Sequence, residues 1–141
     1  MESTLRPLVV GKTSPKAITV AFWIFTALFC LEMSFTAYYE LAILPQAAQA
    51  FARLGFISNA FRIELSWAKV LGVAALLVPV VPARVKEWAY AGFAINLVSA
   101  LIAHASIHDR TAAFIPSSIT SVLWILSYYL WRRTEAAQAS L

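Results

Sequence analysis

"RIELSWAKVLGVAALLVP", residues 62–79, decides how this chain can fold. From Val70 onward it is apolar up to Pro79, as a membrane-crossing helix is, yet Arg62, Glu64 and Lys69 occupy its first eight positions. A charge near the bilayer centre costs about 2.5 to 3.5 kcal/mol, so such groups pair in the protein interior or sit close to the membrane surface. The stretch therefore predicts a helix whose polar end looks into a chamber shared with other helices.

The rest of the chain supplies those helices. Of its 141 residues 61% are hydrophobic and only 13% charged, and the mean hydropathy is +0.74, far from the composition of a soluble domain. A hydrocarbon core of about 30 Å takes roughly 20 apolar residues of helix, and residues 17–39, 63–81, 88–107 and 113–131 each qualify. The expected fold is all-α: an integral membrane, up-down bundle of four transmembrane helices. Continuous apolar runs argue against a barrel, whose strands alternate and are about half as long. Residues 1–16 and 134–141 are expected to be tails. The apolar run of the first span is too long for a cleaved signal peptide. The lone Cys30 leaves no internal disulfide to form.

The net charge of +4 and a pI near 9.5 reflect orientation rather than nucleic-acid binding, because the basic residues flank spans instead of forming a stripe. Arg6, Lys12, Lys16, Arg84, Lys86, Arg132 and Arg133 fall on one side, against Arg53, Arg62 and Arg110 on the other. The positive-inside rule then predicts a multi-pass protein of a bacterial inner membrane with both termini cytoplasmic. Trp23, Trp88, Tyr90 and Trp131 on the inner side, and Tyr38, Tyr39 and Trp67 on the outer, suit interfacial belts. The one long connection contains "PQAAQAFARLG" (45–55), where Pro45 opens and Gly55 closes a short helix on the outer surface.

Three spans place ionisable groups at a similar outer depth: Glu32 on the first, Glu64 and Lys69 on the second, His104 and Asp109 at the end of the third. Glu64 and Lys69 are about 140° apart around their axis, so Lys69 is expected to meet Glu32 or Asp109. Small residues at helical spacing, Ala68, Gly72 and Ala75 after Glu64, and Gly92, Ala100 and Ala103 around Asn96, read first as helix packing. Asn96, Ser99, Trp67, Ser121, Trp124 and Tyr38 are expected to line the chamber. His104 and His108 have i, i+4 spacing but no His-Glu-x-x-His context, and a metal site, with Asp109 or Glu40 as third ligand, is not expected.

"AKVLGVAALLVP" (68–79) followed by "KEWAYAGFAINLVSALIAH" (86–104) resembles the DoxX-like family of small four-helix membrane proteins, over roughly residues 55–109. His104, Asp109, Lys69 and Gly72 match the family pattern; His108 stands where glycine is usual, and Glu32 is an addition. The resemblance implies quinone-linked oxidation of sulfur compounds, resistance to quinones and oxidative stress, or, as in a similar animal branch, assembly of receptor channels. The expected function is binding of a lipophilic, quinone-like molecule, with Lys69 and His104 toward its oxygens and Glu32 or Asp109 passing protons. No flavin, haem or cluster motif occurs in the chain, so a bound quinone would exchange electrons with a redox partner protein. A cofactor-independent acid/base enzyme built on Glu32, Glu64, Lys69 and His104 is the alternative, and a membrane chaperone or assembly factor the third reading; lipid and a second copy in a homo-oligomer are the other partners expected.

Overall fold

The computed structural model describes residues 13–141; of the expected tail 1–16, residues 1–12 lie outside the described part. Helix α1 spans Pro15–Ala42, opened by the Ser14 side chain, which accepts from the Ala17 N–H, and by Pro15 in the first turn. Helix α2, Leu44–Arg53, is the expected short helix: Pro45 lies in its first turn, and Gly55 just beyond it has φ 90°, which glycine adopts without a Cβ penalty. Helix α3 is Asn59–Leu77, capped by Ser58; α4 is Ala83–Ser106; and α5 is Phe114–Ala139, after a single 3-10 turn at Thr111–Ala113.

All four long helices depart from the expected spans: α1 runs on to Ala42 rather than residue 39, and α4 begins at Ala83 rather than residue 88. Helix α3 starts and stops four residues before the run 63–81, because Ser58 supplies a cap upstream and the residue before Pro79 is pushed out of the helical region. Helix α5 passes residue 131 and takes up most of the expected tail 134–141, since nothing between Arg132 and Ala139 breaks a helix. An aromatic residue can mark a membrane edge without ending the helix that crosses it.

Helix α1 packs against α3 and α5, and α4 packs against the same two, so α1, α3, α4 and α5 neighbour one another in chain order. Thr26 meets Ser127 and Glu32 meets Thr120, which fixes α1 and α5 as antiparallel. The core between them holds Phe22, Phe29, Met33, Leu76, Tyr90, Phe93, Leu97 and Trp131. Tyr90 and Trp131, assigned above to the inner belt, are instead 1% and 2% exposed. The Tyr90 hydroxyl shares a hydrogen bond of 2.7 Å with Ser127, and a buried partner removes any need for an interfacial position.

The outer surface is apolar. Leu31 is 70% exposed and Trp88 and Ile95 are each 69% exposed, an arrangement that suits lipid rather than water. Among the described residues, three segments are long and apolar enough to cross a membrane: α1, α4, and Thr111–Ala139 containing α5. Helix α3 falls short of that standard, because its 19 residues include Arg62, Glu64 and Lys69. This helix reaches the bundle only by dealing with those charges.

Close packing of α3 on α4 depends on Gly72. A Cβ there would lie 2.7 Å from the tip of the Phe93 ring, and Phe93 is held edge-on to Phe29 with centroids 5.0 Å apart. Gly92 has open space instead, with nothing within 4 Å of a Cβ. Gly72→Ala is expected to destabilise the protein by about 1 to 3 kcal/mol through overpacking, while Gly92→Ala leaves thermal unfolding in detergent unchanged or slightly improved.

Candidate functional site

The buried positions of α1 run Phe22, Thr26, Phe29, Met33, Ala37 and Glu40, spaced as one helical stripe, so the last turn carries a carboxylate into the α1–α3 interface. Helix α3 answers with Arg62, Ser66 and Lys69, spaced i, i+4, i+7. Lys69 pairs with one Glu40 oxygen and the Ser66 hydroxyl donates to the other at 2.8 Å. Arg62 donates to the main-chain carbonyl of Glu40, while its Nε finds no partner among the described residues. Lys69 was expected to meet Glu32 or Asp109; Glu40 takes that place because α1 continues to Ala42 and keeps Glu40 on its inward stripe. The sequence contained this signal, since the stripe extends past the end assigned to the first span.

Beside this cluster lies a cavity of about 420 Å³ between α1, α3, α4 and α5, bordered also by Phe51 of α2 and by Leu54, Phe56 and Phe61. Glu32, Glu40 and Lys69 all border it, along with Asn96, Ser99 and Ser117. The stripe Gly92, Asn96, Ala100 and Ala103 lines it too. These small side chains open space within the helices rather than closing α4 onto a neighbour, contrary to the packing expectation.

Glu32 differs from Glu40 in having no cation beside it among the described residues. Its Oε1 lies 2.5 Å from the Thr120 hydroxyl, which also lies 2.9 Å from the Pro116 carbonyl. A hydroxyl has one proton to donate. When Glu32 is ionised, Thr120 donates to it; when Glu32 is protonated, it donates to Thr120, which turns its own proton to Pro116.

The remaining expected residues divide. His104 and Asp109 do not border the cavity: His104 Nδ1 is 2.7 Å from Asp109 Oδ2, and Arg53 of α2 grips both Asp109 oxygens at 3.1 and 2.6 Å. Arg53, not singled out beforehand, thus ties α2 to the end of α4. Glu64, Trp67 and Tyr38 are exposed on outward faces. On α3 they lose the inward position to Arg62, Ser66 and Lys69, which lie on the opposite face. Ser121 donates back to Ser117, and the Trp124 indole donates to the Tyr90 carbonyl at 3.0 Å, so neither reaches the chamber.

His108 has φ 49°, and the following Asp109 N–H returns to the His104 carbonyl at 3.1 Å, which closes α4 as a Schellman turn. A left-handed residue at that position is where glycine costs least, which accounts for the glycine of the pattern that His108 replaces.

Removing one member of a buried ion pair leaves the other uncompensated. Glu40→Gln is expected to lower stability by about 3 to 5 kcal/mol, and Glu40→Leu with Lys69→Met to recover most of it, as read from thermal unfolding in detergent. The Asp109 carboxyl is held well below the usual carboxylate range by its hydrogen bonds from Arg53 and then His104. A depressed folded-state pKa means that the clasp contributes in full above the ordinary carboxylate pKa of about 4. It is lost only as the pH falls through the lower folded value. Asp109→Asn is therefore expected to raise hydrogen exchange in α2 at neutral pH, and the wild-type chain to show the same rise only on strong acidification.

No curated protein and no solved structure matches the chain. A profile of the DoxX-like family matches residues 24–126, from within α1 to the middle of α5, wider than the 55–109 read from the sequence. With helices apolar enough to cross a bilayer and a family match over most of its length, this membrane protein belongs to the DoxX-like family.

Proposed function

We propose that the chain spans a bacterial inner membrane four times, with both termini in the cytoplasm, and holds a small lipophilic ring bearing carbonyl or hydroxyl oxygens in the chamber under α2. In this reading α3 is the fourth span, its charges turned inward to Glu40, and a quinone is the ligand type that suits the chamber. The observation that carries the proposal is the cavity itself: about 420 Å³ of mainly apolar wall with Glu32 and the Glu40–Lys69 pair as its charged groups. Eight residues separate the two carboxylates, about 12 Å along α1, so a ring between them meets polar groups at both ends. Redox turnover would draw electrons from a partner protein, with this chain binding the ring and exchanging protons as a subunit of a redox or quinone-detoxifying system.

The unlike settings of the two glutamates favour a second reading, a cofactor-independent acid/base enzyme for a hydrophobic substrate. Glu40 is paired with Lys69, whereas Glu32 meets a neutral hydroxyl, that of Thr120. Carboxylates in different surroundings can divide acid and base roles. Glu32 is the residue on which both readings turn.

Calorimetry of the purified chain with 2,3-dimethoxy-5-methyl-1,4-benzoquinone tests the first reading. Saturable binding is expected for the quinone and for its hydroquinone, and Glu32→Gln weakens the hydroquinone about tenfold, because only its hydroxyl can donate a charge-assisted hydrogen bond to the carboxylate. Absence of saturable binding overturns it. Turnover of a lipophile by the isolated chain, abolished in Glu32→Gln with the fold intact, favours the second.

A further inference from the structure

A second cavity of about 380 Å³ lies between α3 and α4 and runs away from α2 toward the loop joining those helices. The two cavities share Leu65, Lys69, Gly92 and Asn96. Beyond that junction the second continues past Ala75 to Val85 and Trp88, with no further ionisable group on its walls.

Gly92 stands where they meet. A glycine inside a helix is unfavourable relative to alanine unless close approach demands it. At Gly72 the Phe93 ring makes that demand; at Gly92 a Cβ would meet nothing within 4 Å. The missing side chain keeps the passage between the cavities open instead of admitting a neighbour.

We propose that the two cavities form one site for a single amphiphile, whose oxygen-bearing ring lies under α2 and whose alkyl or prenyl tail passes Gly92 into the α3–α4 groove. The inference rests on the ring-binding reading and adds the tail to it. From Asn96 to Val85 the groove follows eleven residues of α4, about 16 Å, room for an extended chain. In a bilayer the tail gains little from leaving lipid, so the groove selects by shape and van der Waals contact. Continuity with the polar chamber through Lys69 and Asn96 argues for one ligand with a head and a tail.

The test uses the whole chain in lipid nanodiscs and two photoreactive probes, each a decyl tail ending in a diazirine, one headed by the dimethoxy-methyl benzoquinone and one by a hydroxyl. The quinone-headed probe is expected to label the peptides holding Ala75 and Val85–Ala89 saturably. Ala75→Leu, which fills the groove at a position that does not border the ring chamber, reduces that labelling by about tenfold or more and leaves binding of the tail-less quinone unchanged. Gly92→Leu, at the junction, gives the same loss of labelling if Ala75→Leu fails to fold. Binding of the tail-less ring with an unlabelled groove, or labelling indifferent to both substitutions, overturns the tail and spares the ring. Saturable, Gly92-dependent labelling by the hydroxyl-headed probe, with no ring binding, keeps the tail groove and removes the quinone. If neither probe labels saturably and no ring binds, both fall. A chain dimer broken by Gly92→Leu, without groove labelling, assigns the groove to a second copy and ends the proposal.

Discussion

The Glu40–Lys69 ion pair is the constraint on which the architecture depends. A lone ammonium in a low-dielectric interior is expensive enough to expel a helix or discharge the group. Helix α3 escapes both outcomes because α1 presents one carboxylate at the matching height, and because Ser66 occupies that carboxylate's second oxygen. Arg62 adds a bond to the Glu40 main chain, so side chain and backbone of the same residue are both engaged by α3. The interaction fixes the vertical register of α1 against α3. It also sets the wall of the chamber, since Glu40 and Lys69 face both the packed interface and the open space.

Between α1 and α5 the same device recurs in a weaker form. Thr26 with Ser127 and Glu32 with Thr120 form rungs between α1 and α5, each a polar contact inside an otherwise apolar seam. Such bonds contribute modestly in membranes, about 0.6 kcal/mol on average. Their larger effect is directional, because a one-residue slip would leave several polar atoms facing lipid. Between the two registers α1 is held rigidly, and Glu32 is carried to the chamber with only a hydroxyl for company. At the far end, Arg53, Asp109 and His104 tie α2 across the top, which links chamber closure to a surface ion pair rather than to the core.

Much of the fold was legible in the sequence because its signals are local. Runs of apolar residues mark the long helices, and Pro45 and Gly55 bracket α2; the hydroxyl caps at Ser14 and Ser58, equally local, were passed over, and α3 was begun four residues late for that reason. Lys69, Glu32, Asn96 and Ser99 were read as chamber residues on depth alone, and all four border the cavity. Depth was insufficient for Glu64, Trp67 and Tyr38, which sit at suitable heights but on outward faces. It also misassigned His104 and Asp109, which a turn at His108 folds onto Arg53 instead of the cavity.

By itself, then, the amino-acid order determined that the chain is helical, that it is built for lipid, and which few ionisable groups need shelter there. Only the tertiary structure decided which of them meet. Spacing along one helix fixes a residue's height and angle relative to its own axis, but a partner is chosen by the rotation and offset of a second helix. That choice is made by all the packing between the helices at once, including Phe93 against Gly72 and Thr26 against Ser127. Glu40, and not Glu32, faces Lys69 for that reason.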